Sequence, residues 1–293
     1  MKPMDKRMEV LEGAIDLHIH LTPDLHDRLL DEMECAREAR EAGMKAIVSK
    51  AHYGMSADRM HYVQKAVPGV HAFGGVVLNP SVGGINPRAV EAAIQYGGKE
   101  VWMASIFSES HIQYYRGTYG TMPGKVKWPE KGVTILGSDG KLLPAMKEIL
   151  DMIAEANIIL GTSHCSLEEC RLLVDEAFRR GVKKILITHP FNEIPNFSKE
   201  VQLEFARKGA YLEHCYCQLT PLFFNAGIKD FVDVIRKAGA ERCVLATDMG
   251  QVFNPSPVEG LRNFILAMMN QGITRDEIDL MVRKNPAKLL DLN

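Results

Sequence analysis

The sequence predicts a single-domain (β/α)8 barrel, and three observations predict it. Short apolar runs alternate with amphipathic helical stretches, and the runs begin near Ala14, Lys45, Val70, Glu100, Ala156, Lys184, Ala210 and Cys243. Most are spaced by roughly 25–33 residues, the repeat of a βα unit. No linker rich in Pro, Gly or Ser, no low-complexity tract and no shift in composition divides the 293 residues, so one core over residues 1–293 is expected. Finally, histidines and an aspartate fall at the ends of the runs, where such barrels carry their chemistry.

In the first run, alternation places Ile15, Leu17 and Ile19 on one face and Asp16, His18 and His20 on the other, with Pro23 as a stop. Two histidines at i and i+2 of a strand point the same way, close enough to grip one metal ion. A helix is expected over Asp27–Ala42, with a stripe through Leu30, Met33 and Ala36 and Gly43 at its end. On it Arg28 reads either as a clamp for a carboxylate or as a surface charge. The second run, Ala46 to His52, puts Lys50 and His52 on one face. Gly74-Gly75 and Gly83-Gly84 lack any phosphate-loop frame and read as bends and turns. Asn86-Pro87 caps and opens the next helix.

After the fourth run, Val101 to Ala104, a long loop leads to a helix near Leu142. Its tyrosines, among them Tyr114, Tyr115 and Tyr119, and Trp128 favour an ordered cover over the active-site mouth. The fifth run ends in His164 and the sixth in His189. The seventh carries the neighbours Glu213 and His214, of which only one can face the lumen; Glu213 is the choice. The eighth ends in Asp248. Ser166–Glu169 and Thr274–Glu277 form capping boxes, and Ser256-Pro257 opens a late helix.

Composition narrows the function classes. A net charge of −2 and a pI near 6.6 give no electrostatic basis for a nucleic-acid or membrane partner. No stretch approaches a membrane span, and no apolar run follows the first charged residues as in a signal peptide, so a cytoplasmic location is expected. The six cysteines show neither disulfide nor zinc spacing and read as reduced thiols, with Cys215-Tyr216-Cys217 placed inside the seventh strand. Cys165 beside His164 faces the opposite way and is not read as a nucleophile. The expected partner is a small-molecule substrate, possession of an anionic group being favoured by Lys50. A homo-oligomer is compatible with Leu222-Phe223-Phe224, which reads equally as pocket wall or subunit contact.

Four histidines and an aspartate at strand ends suit Zn²⁺ or a similar divalent ion, one or two per chain. The pattern of His18-x-His20 after strand one, His164 and His189 after strands five and six and Asp248 after strand eight resembles the amidohydrolase superfamily. Asn285-Pro286-Ala287-Lys288-Leu289-Leu290 is similar to the segment that closes many of its members. The resemblance is strongest to a barrel-only branch. It implies that His18, His20 and Asp248 hold a buried metal. It implies too that His164 and His189 hold a second metal or polarise substrate, and that Asp248 is the general base as a metal-activated water attacks a carbonyl. Hydrolysis of an amide or cyclic amide is the reaction it favours; lactone or phosphoester hydrolysis uses the same parts. The sequence departs from the two-metal pattern in one respect. The fourth strand, Val101-Trp102-Met103-Ala104-Ser105-Ile106, lacks a bridging lysine or glutamate, and Glu109 and His111 come later, in the loop. Lys50 is then either an alternative bridge or, as favoured here, an anion-binding ammonium; His52, Arg28 and Glu213 complete the candidate surroundings. The missing bridge supports a runner-up, a mononuclear decarboxylase of a small carboxylic acid. A ligand-sensing barrel without turnover is the alternative from outside enzymology.

Overall fold

Residues 9–115 and 129–292 are described by the computed structural model. Nine short parallel strands make the barrel wall: β1 (Ile15–Ile19), β2 (Ala46–Ser49), β3 (His71–Phe73), β4 (Gly75–Val77), β5 (Glu100–Trp102), β6 (Ile159–Gly161), β7 (Ile185–Ile187), β8 (Tyr211–Cys215) and β9 (Cys243–Ala246). They form two hydrogen-bonded sheets, β1-β2-β3 and β4 through β9 in chain order. β3 and β4 are halves of one barrel strand interrupted at Gly74, where a Cβ would meet the Ser56 backbone at 2.6 Å. The wall therefore has eight staves, as the sequence predicts.

At the other seam, first and last strands meet without an extended ladder. The Asp248 amide donates to the His18 carbonyl at 2.8 Å and the His20 amide to the Met249 carbonyl at 2.7 Å. Beneath these, the buried Asp16 carboxyl accepts from the Thr247 hydroxyl at 2.6 Å and the Thr247 amide at 3.1 Å. Burial pushes Asp16 up to about 7, opposed by these donors.

The lumen is filled by alternate residues of each strand: Ile15 and Leu17, Ala46 and Val48, Val77, Trp102, Ile159, Leu186, Tyr211 and Val244. Leu289 and Leu290 belong to the same cluster. The opposite faces, for example Ile47, Val101, Leu160, Leu212 and Leu245, pack outward against the helices.

Those helices are α1 (Glu32–Glu41), α2 (Ala57–Ala66), α3 (Pro87–Gln95), α4 (Glu109–Tyr115), α5 (Pro144–Ala156) and α6 (Leu167–Arg179). They continue as α7 (Lys199–Lys208), α8 (Ile228–Ala238), α9 (Pro257–Asn270), α10 (Arg275–Asp279) and α11 (Asn285–Leu290). The capping boxes at Ser166 and Thr274 and the Asn86 cap are in place. Among the described residues no helix is long and apolar enough to cross a membrane, and all six cysteines are free and buried.

Three expectations are corrected. The first helix starts at Glu32 rather than Asp27, because Asp31 and Glu34 form a capping box there. Its buried stripe is Cys35, Ala36 and Ala39, with Met33 exposed. The connection after β5 is not a plain loop, since it opens with α4; Tyr119 and Trp128, expected over the mouth, lie outside the described residues. Strand β8 ends at Cys215, and Cys217 lies in a 3-10 turn over Tyr216–Leu219.

Gly161 faces the lumen beside two large side chains, and a Cβ there would meet Glu100 Oε1 and Trp102 Cδ1 at 2.5 Å each. Trp102 is fully buried and has nowhere to move. Gly161→Ala is therefore expected to destabilise the fold by about 1–3 kcal/mol through overpacking, read as a lower midpoint in urea denaturation. An unchanged midpoint would contradict this packing.

Candidate active site

The first strand does not alternate as a regular pleat would. Its pairing with β2 shifts register between Asp16 and Ile19. Ile15 and Leu17 face the lumen while Ile19 packs in the outer core. His18 follows Leu17 yet reaches lumen-facing Glu213. This break in the register turns His18 and His20 inward, as bulges beside functional sites do. The expected sharing of one face by Asp16, His18 and His20 is thus corrected: Asp16 serves the seam and the histidines serve the lumen.

Seam closure brings Asp248 against both histidines. His20 Nε2 lies 3.0 Å and His18 Nε2 3.2 Å from Asp248 Oδ1, and the two nitrogens are 3.3 Å apart. Gly250 lets the chain pass closely: its φ is +143°, and a Cβ would overlap the His20 carbonyl. Asp248 itself is left-handed at φ +56°, as are Ser163 at +49° and His189 at +32°. Such backbone costs about 1–3 kcal/mol per residue and clusters at functional sites.

The protons on these groups can be assigned. His20 Nδ1 is 2.8 Å from the Lys50 carbonyl, which can only accept, so Nδ1 carries the hydrogen. Burial holds the His20 pKa well below its usual value, so the ring is neutral and Nε2 is a lone pair. His18 is likewise held neutral, its pKa lowered to about 3 by burial, and its Nδ1 bonds Glu213 Oε2 at 3.0 Å. Burial pushes Glu213 up to about 8; in its ionised form, which positive charge beside His18 favours, it accepts from His18 Nδ1–H and leaves Nε2 as a second lone pair. In that state three acceptors converge on one point with no proton among them, the donor set of a cation site. Their separations fit: ligands about 2.0–2.1 Å from a tetrahedral zinc lie about 3.3 Å apart. Glu213 and the Lys50 carbonyl occupy the positions that orient metal-binding imidazoles. His18, Glu213 and Cys215 form a second compact donor group, but its shared atom, His18 Nδ1, is already committed to Glu213.

Opposite the triad stands a second arc. His164 and His189 have ring centroids 4.9 Å apart, and His189 lies 5.6 Å from His18. His189 Nδ1 is buried without a hydrogen-bond partner among the described residues. The arc includes a residue that sequence reading left in the loop: His111, from α4, places Nδ1 2.8 Å from His164 Nδ1. The available signal was Ser108, whose hydroxyl accepts from the His111 amide at 3.1 Å and starts that helix.

Lys50 is fully buried and reaches the cavity, with Nζ 5.9 Å from the Trp102 ring. Burial lowers its pKa, opposed by Asp248, Glu213 and Glu100. Glu100 is a lumen-facing acid on the fourth barrel strand that sequence reading passed over. Both its oxygens are unpartnered among the described residues, and burial raises its pKa. It lies one lumen layer below Trp102, away from the mouth. Glu213 faces the lumen and burial pushes it up to about 8, opposed by Lys50, whereas His214 packs outward against Phe191 and Phe231. Arg28 lies outside any helix; its buried side chain is held by Asp24 Oδ2 at 2.8 and 2.9 Å.

His52 stacks on His20 with centroids 4.4 Å apart. Its Nδ1 is 3.0 Å from the Ser105 hydroxyl. Asn79 Oδ1 accepts from the Ser105 amide, so Asn79 Nδ2 is the group that donates to Ser105 Oγ. His52 Nδ1 is the one other partner of the Ser105 hydroxyl among the described residues, so the tautomer that also satisfies the Ser105 hydrogen has Nδ1 accepting and Nε2–H as a donor into the cavity. That cavity, of about 550 Å³, also takes in His20, Lys50, His164, His189 and Asp248.

Residues 13–213 match the model of a family described as "Family of unknown function (DUF6282)". Among curated proteins, none matches the sequence. Solved structures share the fold at low identity. An amidohydrolase from Pseudomonas aeruginosa superposes with a TM-score of 0.65 at 15% identity, covering 99% of this chain and 98% of its own. A probable 2-pyrone-4,6-dicarboxylic acid hydrolase from Acinetobacter baumannii, with citric acid bound, gives 0.63 at 12%, covering 96% and 100%. A 2,6-dihydroxybenzoate decarboxylase complexed with 2,6-dihydroxybenzoate gives 0.57 at 11%, covering 96% and 100%. The chain thus shares its barrel fold with these enzymes.

If Glu213 orients His18, then Glu213→Gln, which keeps shape but not charge, is expected to weaken zinc affinity about 10–100-fold. Competition with a chromogenic chelator measures this; unchanged affinity would remove Glu213 from the metal's surroundings.

Proposed function

The chain belongs to the DUF6282 family and shares its barrel fold with an amidohydrolase, and from that premise we propose that it is a metal-dependent hydrolase acting on the C–N bond of an amide or cyclic amide. The observation that carries the reading is the convergence of His18 Nε2, His20 Nε2 and Asp248 Oδ1 within 3.3 Å of one another. These three would hold a divalent ion, zinc by the chemistry of two imidazoles and a carboxylate. Such an ion supplies a water of pKa near 7 and polarises a substrate carbonyl.

The protein's own groups do the rest. Asp248 Oδ2, 3.4 Å from Gln218 Nε2, faces away from the histidines and is the atom to take a proton from water and return it to the leaving nitrogen. His52 Nε2–H donates to the substrate oxygen as charge develops there. His189 and His164 line the opposite wall and hold the substrate towards the triad, while Lys50 pairs with an anionic substituent. Burial of these groups strengthens each of these contacts.

One feature favours a second reading, decarboxylation of a small carboxylic acid at a single metal. No carboxylate joins His164 or His189 to the triad in the donor groups found among the described residues, and Lys50 offers a carboxylate anchor. Release of ammonia or amine from linear amides, or ring opening of cyclic ones, by the zinc-loaded protein supports hydrolysis; release of carbon dioxide from acids, with amides inert, replaces it by the second reading.

Within the first reading, His52→Ala is expected to lower kcat about 10²-fold while metal content stays unchanged. A change confined to KM would make His52 a binding group only.

A further inference from the structure

Eleven large apolar or aromatic side chains are exposed among the described residues, and six stand at one end of the barrel. Leu25 and Leu29 follow β1, Leu222 and Phe224 follow β8, and Val252 and Phe253 follow β9. Apolar surface gathered this way marks a binding surface rather than scatter. The loops adjoin: the Leu29 amide donates to the Gly250 carbonyl at 2.8 Å. Leu222, Phe223, Val252 and Phe253 also wall the cavity whose floor holds His20, Lys50 and Asp248. At about 550 Å³, that cavity takes a ligand much larger than the few atoms that react. Its lining joins imidazoles, a carboxylate and a lysine amine in the floor to aliphatic and phenyl groups along one wall of the mouth, with Asp27, Asn192, Glu193 and Gln251 also lining the cavity.

Resting on the functional reading above, we propose that the substrate is amphipathic. Its carbonyl or carboxylate head sits at the triad, and an apolar body of several carbons lies outward against Leu222, Phe223 and Val252. A second copy of the chain would also cover exposed leucine and phenylalanine. The substrate is the occupant favoured here because the apolar wall is continuous with the reactive floor inside one cavity.

The test is binding of straight-chain carboxylates from acetate to octanoate to the zinc-loaded full chain by calorimetry, with metal content measured in the same samples. Affinity is expected to rise three- to four-fold per methylene over at least four additions, the value of a buried CH₂. In a Phe223→Ser/Val252→Ser variant, which alters the mouth alone, the increment is expected to fall below two-fold while acetate binds as before. Acetate binding with no dependence on chain length would overturn the apolar subsite and leave the metal-centre reading intact. No binding by any acid despite bound zinc would overturn the subsite too, whereas failure to hold zinc at all would strike the functional reading itself. A variant that keeps the chain-length dependence but turns a dimer into a monomer would assign this face to a subunit contact and overturn the proposal.

Discussion

The candidate site depends on the closing seam of the barrel. Asp248 and His20 make the backbone hydrogen bonds that join the last strand to the first, and the same residues supply two of the three converging ligand atoms. Closure and site assembly are therefore one event: a barrel left open at this seam separates Asp248 from the histidines. Asp16 and Thr247 secure the seam one layer down, which gives a buried acid a structural task next to the acids proposed for chemistry.

The surroundings set the electrostatics. Burial, helped by the charge of Lys50, drives His18, His20, His164 and His189 towards the neutral form, the form that binds metal or hydrogen-bonds substrate without carrying charge. Within this neutral ring stands the buried amine of Lys50, whose ammonium form burial disfavours and Asp248, Glu213 and Glu100 support. A divalent ion at the triad changes that balance, adding positive charge beside Asp248 and favouring ionised Glu213. The hydrogen bond from His18 to Glu213 then strengthens, so ligand orientation and metal occupancy support each other.

Much of this architecture was legible in the sequence. Each strand begins near where its apolar run begins, because parallel strands buried on both faces read as short β-branched runs. The caps at Asn86, Ser166, Ser256 and Thr274 were legible because capping is local chemistry. The register break in β1 was not, since strict alternation assumes an unbroken pleat and a register shift belongs to the pair of strands. Arg28 falls inside the stretch expected as helix from Asp27, whereas the Asp31–Glu34 capping box starts the helix later. His111 is not legible as helical because α4 is too short for periodicity to register, and Glu100 does not stand out because it begins its strand, below the end where chemistry is sought. The His52 tautomer required the whole Asn79–Ser105 network, which no local pattern encodes.

The central claim is that His18, His20 and Asp248 hold a divalent metal ion. Elemental analysis of the purified chain by mass spectrometry, before and after zinc reconstitution, tests it most directly when paired with a His18→Ala/His20→Ala variant of verified fold. The account predicts close to one ion per chain in the parent and none retained by the variant. A parent that binds no metal even with zinc or manganese supplied, or a variant that holds as much as the parent, would contradict it.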